Sequence, residues 1–188
     1  MLNLEKKIEQ KIDEIGDNYC ENKGIILTES DLKCIVYSEL LKIKSLNNLK
    51  STNTKEYSTD VKSHYIHTEI SWFDKSGRLT LKPDITILNP HSISIKTDNK
   101  RSFIFGDNDD IDSIIFELKF YRNPEVNLDN VKNDYEKFLE INKLNKNIYA
   151  YFIIFSRYTI DSKEQFEHTD NNCKFIYKSA CFEKNKKD

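Results

Sequence analysis

Every residue from Ile148 to Phe155 is aliphatic or aromatic. A run of that length with no polar residue at alternate positions suits a strand covered on both faces, and so a strand in a parallel arrangement. Another strand is expected over Ser113 to Phe120, ended by Asn123-Pro124, because proline cannot donate a ladder hydrogen bond. Between the two, Leu128, Val131, Tyr135, Phe138 and Leu139 recur at helical spacing. A strand, a helix and a doubly covered strand imply a right-handed crossover, and with it an α/β fold.

The chain ahead of this unit reads as helices and then a meander. Leu4, Ile8, Ile12, Ile15 and Tyr19 predict an amphipathic helix over residues 2–19, weakened at Gly16-Asp17. A second helix is expected to begin after Thr28 or Ser30, both good N-cap residues, with Glu29 and Asp31 suited to the positive end of the helix dipole. It is expected to run to about Leu46. Advancing about 100° per residue, Leu32, Ile35, Val36, Ile43 and Leu46 form one stripe with Glu39 at its centre. A carboxylate facing the core needs a partner or a cation, which makes Glu39 a candidate functional residue, with snorkelling or an ion pair as the structural alternatives.

Asn47 to Thr59 has loop composition. His64 to Phe73 reads as a strand, Asp74-Lys75-Ser76-Gly77 as a turn, and Arg78 to Leu88 as the antiparallel partner strand, ended by Asn89-Pro90. Ile93, Ile95 and Phe103 to Phe105 suggest a small hairpin. Asp107, Asp109, Asp110 and Asp112 read as a polar turn rather than a calcium loop: no glycine holds the sharp-turn position, and Leu118 stands where a closing glutamate would be. Lys174 to Tyr177 is expected to add an edge strand.

At 188 residues, with 11 Phe and 10 Tyr, the chain can fill the core of one domain. A net charge of −2 argues against coating nucleic acid through bulk charge, and leaves a local basic footprint open. No apolar stretch reaches the length of a membrane span, so the expectation is a cytoplasmic protein with no membrane partner. Cysteines 20, 34, 173 and 181 lack CxxC spacing and are read as reduced and structural. His64 and His67, three apart on an expected strand, fall on opposite faces and make a poor metal pair.

Two short pieces carry the chemistry, Lys82-Pro83-Asp84-Ile85-Thr86-Ile87 and Ile114-Ile115-Phe116-Glu117-Leu118-Lys119. Strand alternation projects Glu117 and Lys119 together, and sets Asp84 on the face opposite Leu79, Leu81, Ile85 and Ile87. Two carboxylates and a lysine on neighbouring strands suit a divalent metal beside a phosphate. The plain alternative is a soluble α/β domain in which Glu117 and Lys119 form an ordinary ion pair.

In this order the pieces resemble the PD-(D/E)XK nuclease superfamily: Pro83-Asp84 is similar to its PD element and Glu117-Leu118-Lys119 to its ExK element. The resemblance covers about residues 28–157, with the N-terminal helix and a C-terminal extension at 158–188 outside it. It implies a restriction-endonuclease-like αβββαβ core, a mixed central sheet flanked by helices. It also implies a metal-dependent nuclease acting on DNA, with RNA open as a substrate, of restriction, mobile-element or phage-defence type. Asp84, Glu117 and the backbone carbonyl of Leu118 would hold Mg²⁺ or Mn²⁺, Lys119 would serve the attacking hydroxide, and Glu39 or the first-strand Glu69 would complete the metal site. Tyr121 and Arg122 are candidates for phosphate contact. Asp134 and Lys137 resemble a pattern on the following helix in related families and speak to fold. A homodimer or a partner protein is open, and the alternative reading is a catalytically inactive module of the same fold that binds nucleic acid or a protein.

Overall fold

A computed structural model describes residues 2–52, 61–73, 79–92, 94–95, 103–104, 113–123, 128–144, 148–159, 169–170 and 173–180. Two helices lead, α1 (Leu2–Glu21) and α2 (Glu29–Leu41). Short strands follow: β1 (Lys50–Ser51), β2 (Lys62–Ser63), β3 (Ile66–Thr68), β4 (Trp72–Phe73), β5 (Leu79–Leu81) and β6 (Ile85–Leu88). After a 3₁₀ turn at Pro90–Ser92 come β7 (Ser94–Ile95), β8 (Phe103–Ile104), the long β9 (Ser113–Tyr121), α3 (Leu128–Leu144), β10 (Ile148–Ser156), β11 (Thr169–Asp170) and β12 (Cys173–Ser179).

Six strands form one mixed sheet in the order β11-β12-β10-β9-β6-β3. Strands β9, β10 and β12 run parallel, while β6 is antiparallel to β9 and β3 to β6. The expected doubly covered strand lies at the centre. On one side of the sheet Tyr151, Ile153 and Phe155 pack with Phe116, Leu118 and the apolar faces of α1 and α2; on the other, Ala150, Phe152 and Ile154 pack with Val131, Tyr135 and Phe138 of α3. The molecule is thus a three-layer α/β fold. Phe152 is fully buried, its ring 5.8 Å from that of Phe175 and 5.4 Å from that of Tyr135.

Several boundaries differ from the sequence expectation. Helix α1 continues through Gly16 to Glu21. A Cβ at Gly16 would lie 2.8 Å from the Lys178 side chain, so glycine lets the aliphatic stem of Lys178 pass close to the helix. Helix α2 ends at Leu41 rather than Leu46, and Ile43 and Leu46 reach the core from tight turns closed by Ile43 N–H to Leu40 O and Leu46 N–H to Ile43 O.

Each strand of the expected 64–88 meander is interrupted. β3 stops at Glu69, whose φ of 54° is left-handed, and β6 begins only after Pro83. The two halves form separate ladders, β3 with β6 and β4 with β5. The tip at 74–78 and the aspartates at 107–112 lie outside the described residues. The β7/β8 pair matches the expected small hairpin. The tail strand is not an edge: β12 pairs in parallel with β10 and carries β11 on its outer side.

Candidate active site

The site grows from the place where β6 leaves β9. The pairing Ile85 with Phe116 carried one step further sets Asp84 opposite Glu117. Pro83 removes a donor and ends the ladder there, which would leave the edge of β9 beyond Phe116 unpaired. Side chains take over. The Leu118 N–H donates to Asp84 Oδ2 at 2.9 Å, and the next N–H on the same edge, that of Phe120, donates to the Glu29 carboxylate. Because strand alternation ends at Ile85, Asp84 does not stand on the opposite face as its position predicted. Its buried carboxylate lies at the strand edge.

Lysines answer these carboxylates. Lys33, one turn after Glu29 on α2, places Nζ 2.8 Å from Asp84 Oδ1 and 2.9 Å from Glu69 Oε1. Lys82 holds the other oxygen of Glu69 at 2.7 Å. Lys119 Nζ lies 2.8 Å from Glu117 Oε1 and 3.7 Å from Asp134 Oδ2 of α3. The pair Glu117 and Lys119 is mostly shielded, each side chain 19% exposed.

Electrostatics follow from that crowding. Burial pushes the Glu117 carboxyl up; Lys119 opposes the rise, while Asp84 and Glu29 add to it. Glu29 is raised in the same way, by burial first and by Asp84, against the pull of Lys119 and the Phe120 N–H. Burial alone would depress Lys33 and Lys119, but hydrogen bonds to Asp84 and Glu69, and to Glu117, reverse the sign and hold both ammoniums above the ordinary lysine range. Tyr121 is pushed up to about 12, mainly by burial, with Lys119, Asp134 and Glu29 in electrostatic reach.

Glu39 is a correction. It does not face the core or join the other carboxylates. It pairs with Lys42 on its own helix and stands 3.6 Å from Lys11 of α1. Ten residues at 1.5 Å each put it about 15 Å along the helix from Glu29. The helix carboxylate that reaches the site is Glu29, which the sequence reading treated only as a favourable helix start. Glu69 comes close through Lys33, at half exposure. Arg122 is exposed at the end of β9.

Comparison of the chain with protein-family models, with curated proteins and with solved structures finds no match. The chemistry therefore rests on these side chains alone. Carboxylate oxygens are the donors a hard cation takes, and in a strand a residue's C=O points to the same edge as its N–H, so the Leu118 carbonyl faces the Asp84 side. Among the described residues no three His, Cys, Asp or Glu side chains converge closely enough to hold a metal; Lys33 and Lys119 occupy the carboxylate oxygens instead. The donor set fits a divalent cation in kind, with ammonium groups in the places such an ion would compete for.

The histidines are unrelated to this cluster. His67 Nε2 contacts the His64 carbonyl at 2.9 Å and Ser63 Oγ at 3.1 Å. The carbonyl requires Nε2 to carry the proton, so His67 cannot take one from Ser63 at that nitrogen. None of Cys20, Cys34 and Cys173 is in a disulfide; Cys20 and Cys34 are exposed and Cys173 is buried, so a structural reading suits Cys173 best. Cys181 lies outside the described residues. Among the described residues no helix is long and apolar enough to cross a membrane.

Proposed function

We propose that the chain is a metal-dependent nuclease of the restriction-endonuclease-like kind, hydrolysing phosphodiester bonds in DNA. One observation carries the reading: the β6/β9 register sets Asp84 opposite Glu117, two residues from a buried Lys119. The strand succession β3-β6-β9-β10, with the last pair parallel and α3 crossing between them, is the order the resemblance implies and supports it.

Asp84, Glu117 and the Leu118 carbonyl would hold Mg²⁺, or Mn²⁺ in its place, with Glu29 rather than Glu39 as the additional carboxylate. A bound divalent cation would supply neutralisation of the phosphoryl oxygens and acidification of a water. The Lys119 ammonium, kept charged by Glu117, is placed to orient the attacking oxygen and to balance charge on the phosphoryl group as it develops. Water adds to phosphorus, the bond to the leaving sugar oxygen breaks, and a proton passes to that oxygen. Tyr121 and Arg122, beyond Lys119 on the same strand end, are the candidates for phosphate contact.

The test is cleavage of supercoiled plasmid, single-stranded DNA and RNA with Mg²⁺ or Mn²⁺, against an EDTA control. Lys119→Ala is expected to lower cutting by about 10²-fold or more. Undiminished cutting by Lys119→Ala and Asp84→Ala would remove the assignment.

A second reading is an inactive module of the same fold that binds nucleic acid or a protein partner. What favours it is that both central carboxylates are already held by lysines. An inert scaffold shows no saturable thermal stabilisation by Mn²⁺ that depends on Asp84 and Glu117.

A further inference from the structure

We infer that Lys33 is the built-in counter-cation of this site: its ammonium stands where a divalent ion would bind Asp84, and Glu69 is the carboxylate to which it withdraws. The inference rests on the metal-site reading above. It also names a positioning role for two residues outside the Asp84, Glu117 and Lys119 set.

The geometry is that of a cation shared between two anions. Lys33 Nζ is 2.8 Å from Asp84 Oδ1 and 2.9 Å from Glu69 Oε1, so a small rotation of one flexible side chain moves its charge from one carboxylate to the other. The two ends differ in exposure. Asp84 is buried, its second oxygen anchored by the Leu118 N–H, whereas the Glu69 side chain is half exposed at the rim. An ammonium on Asp84 and a divalent ion on Asp84 would repel strongly in this shielded place. Glu69 offers an exit that keeps Lys33 paired.

The backbone holds that exit in place. Glu69 adopts φ 54°, a conformation uncommon for a residue with a side chain, and its N–H donates to the Asp84 carbonyl at 3.2 Å. This ties the chain bearing the second carboxylate to the chain bearing the first. Lys82 holds Glu69 from the other side at 2.7 Å. As Lys33 closes on Glu69, the attraction between Glu69 and Lys82 is shared and the exposed Lys82 loosens toward any anion at the rim. A lysine serving only as a structural pair would need neither Glu69 nor its left-handed turn.

The experiment is a double-mutant cycle on Mn²⁺ affinity, measured by calorimetry on the full chain. Lys33→Met is expected to tighten Mn²⁺ binding roughly tenfold, the scale on which an adjacent charge shifts a carboxylate equilibrium. Glu69→Gln is expected to weaken it a few-fold, because Lys33 is then left on Asp84 alone, and to have less than about a twofold effect in the Lys33→Met background. Lys33→Arg, which keeps the bridging charge, should stay near wild type. Lys33→Gln is the substitute if Lys33→Met does not fold, and Glu69→Gln alters an exposed side chain and tests the withdrawal by itself. Equal, Asp84-dependent Mn²⁺ affinity across all these proteins overturns the inference and leaves the metal site standing. Absence of Asp84-dependent binding in the wild type and in Lys33→Met removes the metal reading and the inference together.

Discussion

At the scale of single residues, Glu29 shows how position decides chemistry. It is the first residue of α2 and is half-buried, its carboxylate receiving the Phe120 N–H near Asp84. Burial and the neighbouring carboxylate raise its pKa, so the folded chain binds that proton more tightly than the unfolded chain does. Stability therefore falls as pH rises from the ordinary carboxylate range through the raised value. Gln carries no charge at any pH and can still accept the Phe120 N–H. Glu29→Gln is expected to melt at a higher temperature than wild type near pH 7, with the difference shrinking toward pH 4. Melting curves in EDTA across that range check it; a gain that does not change with pH would contradict the electrostatic account. Nothing in the letters around Glu29 separates a helix-start acid from a site acid, since the N–H it meets belongs to a strand ninety residues away.

At the scale of elements, α2 carries two lessons. Its start was legible: Thr28 accepts the Asp31 N–H at 3.0 Å and Asp31 accepts the Thr28 N–H at 2.9 Å, a capping box written in four residues. Thr28→Ala is expected to remove about 1 kcal/mol of stability, read from denaturant midpoints, and to loosen the end of the helix that holds Glu29 and Lys33. Thr28→Ser should retain most of it. The far end was misread. Relative to Leu32, Val36 and Leu40 advance by about 40° and 80°, while Glu39 falls about 20° the other way, on the flank. Carrying the helix on to Leu46 added Ile43 and Leu46 to the stripe and drew its centre onto Glu39. The helix stops at Leu41, so those two residues reach the core through turns, and the apparent core-facing glutamate disappears.

At the scale of the whole molecule, the segments on either side of residues 28–157 are not appendages. Ile8, Ile12 and Tyr19 of α1 are fully buried against the sheet. Lys174 and Lys178 of β12 pair with Glu9 and Asp13 of α1, each at 2.7 Å, and Cys20 Sγ donates to the Ser179 carbonyl at 3.0 Å. The two chain ends thus meet over β10 and close one side of the core. Ile12→Ala is expected to cost about 2–4 kcal/mol and to shift the whole unfolding transition as one. A separate early melt of α1, seen by hydrogen exchange in residues 2–21 alone, would show that the helix is only loosely attached.

The sequence alone determined the layer plan and the two strands that carry Asp84, Glu117 and Lys119. Periodicity and burial of a doubly covered strand are local properties, and the β9-α3-β10 crossover has one favoured hand. It could not determine where β3 and β6 break, because the left-handed turn at Glu69 is held by a hydrogen bond to Asp84 and by lysines from two other segments. For the same reason it could not choose between Glu29 and Glu39, or show Lys33 on Asp84: these pairs depend on where a helix end docks against a strand edge. That contact exists only once the sheet and its covering helices have packed.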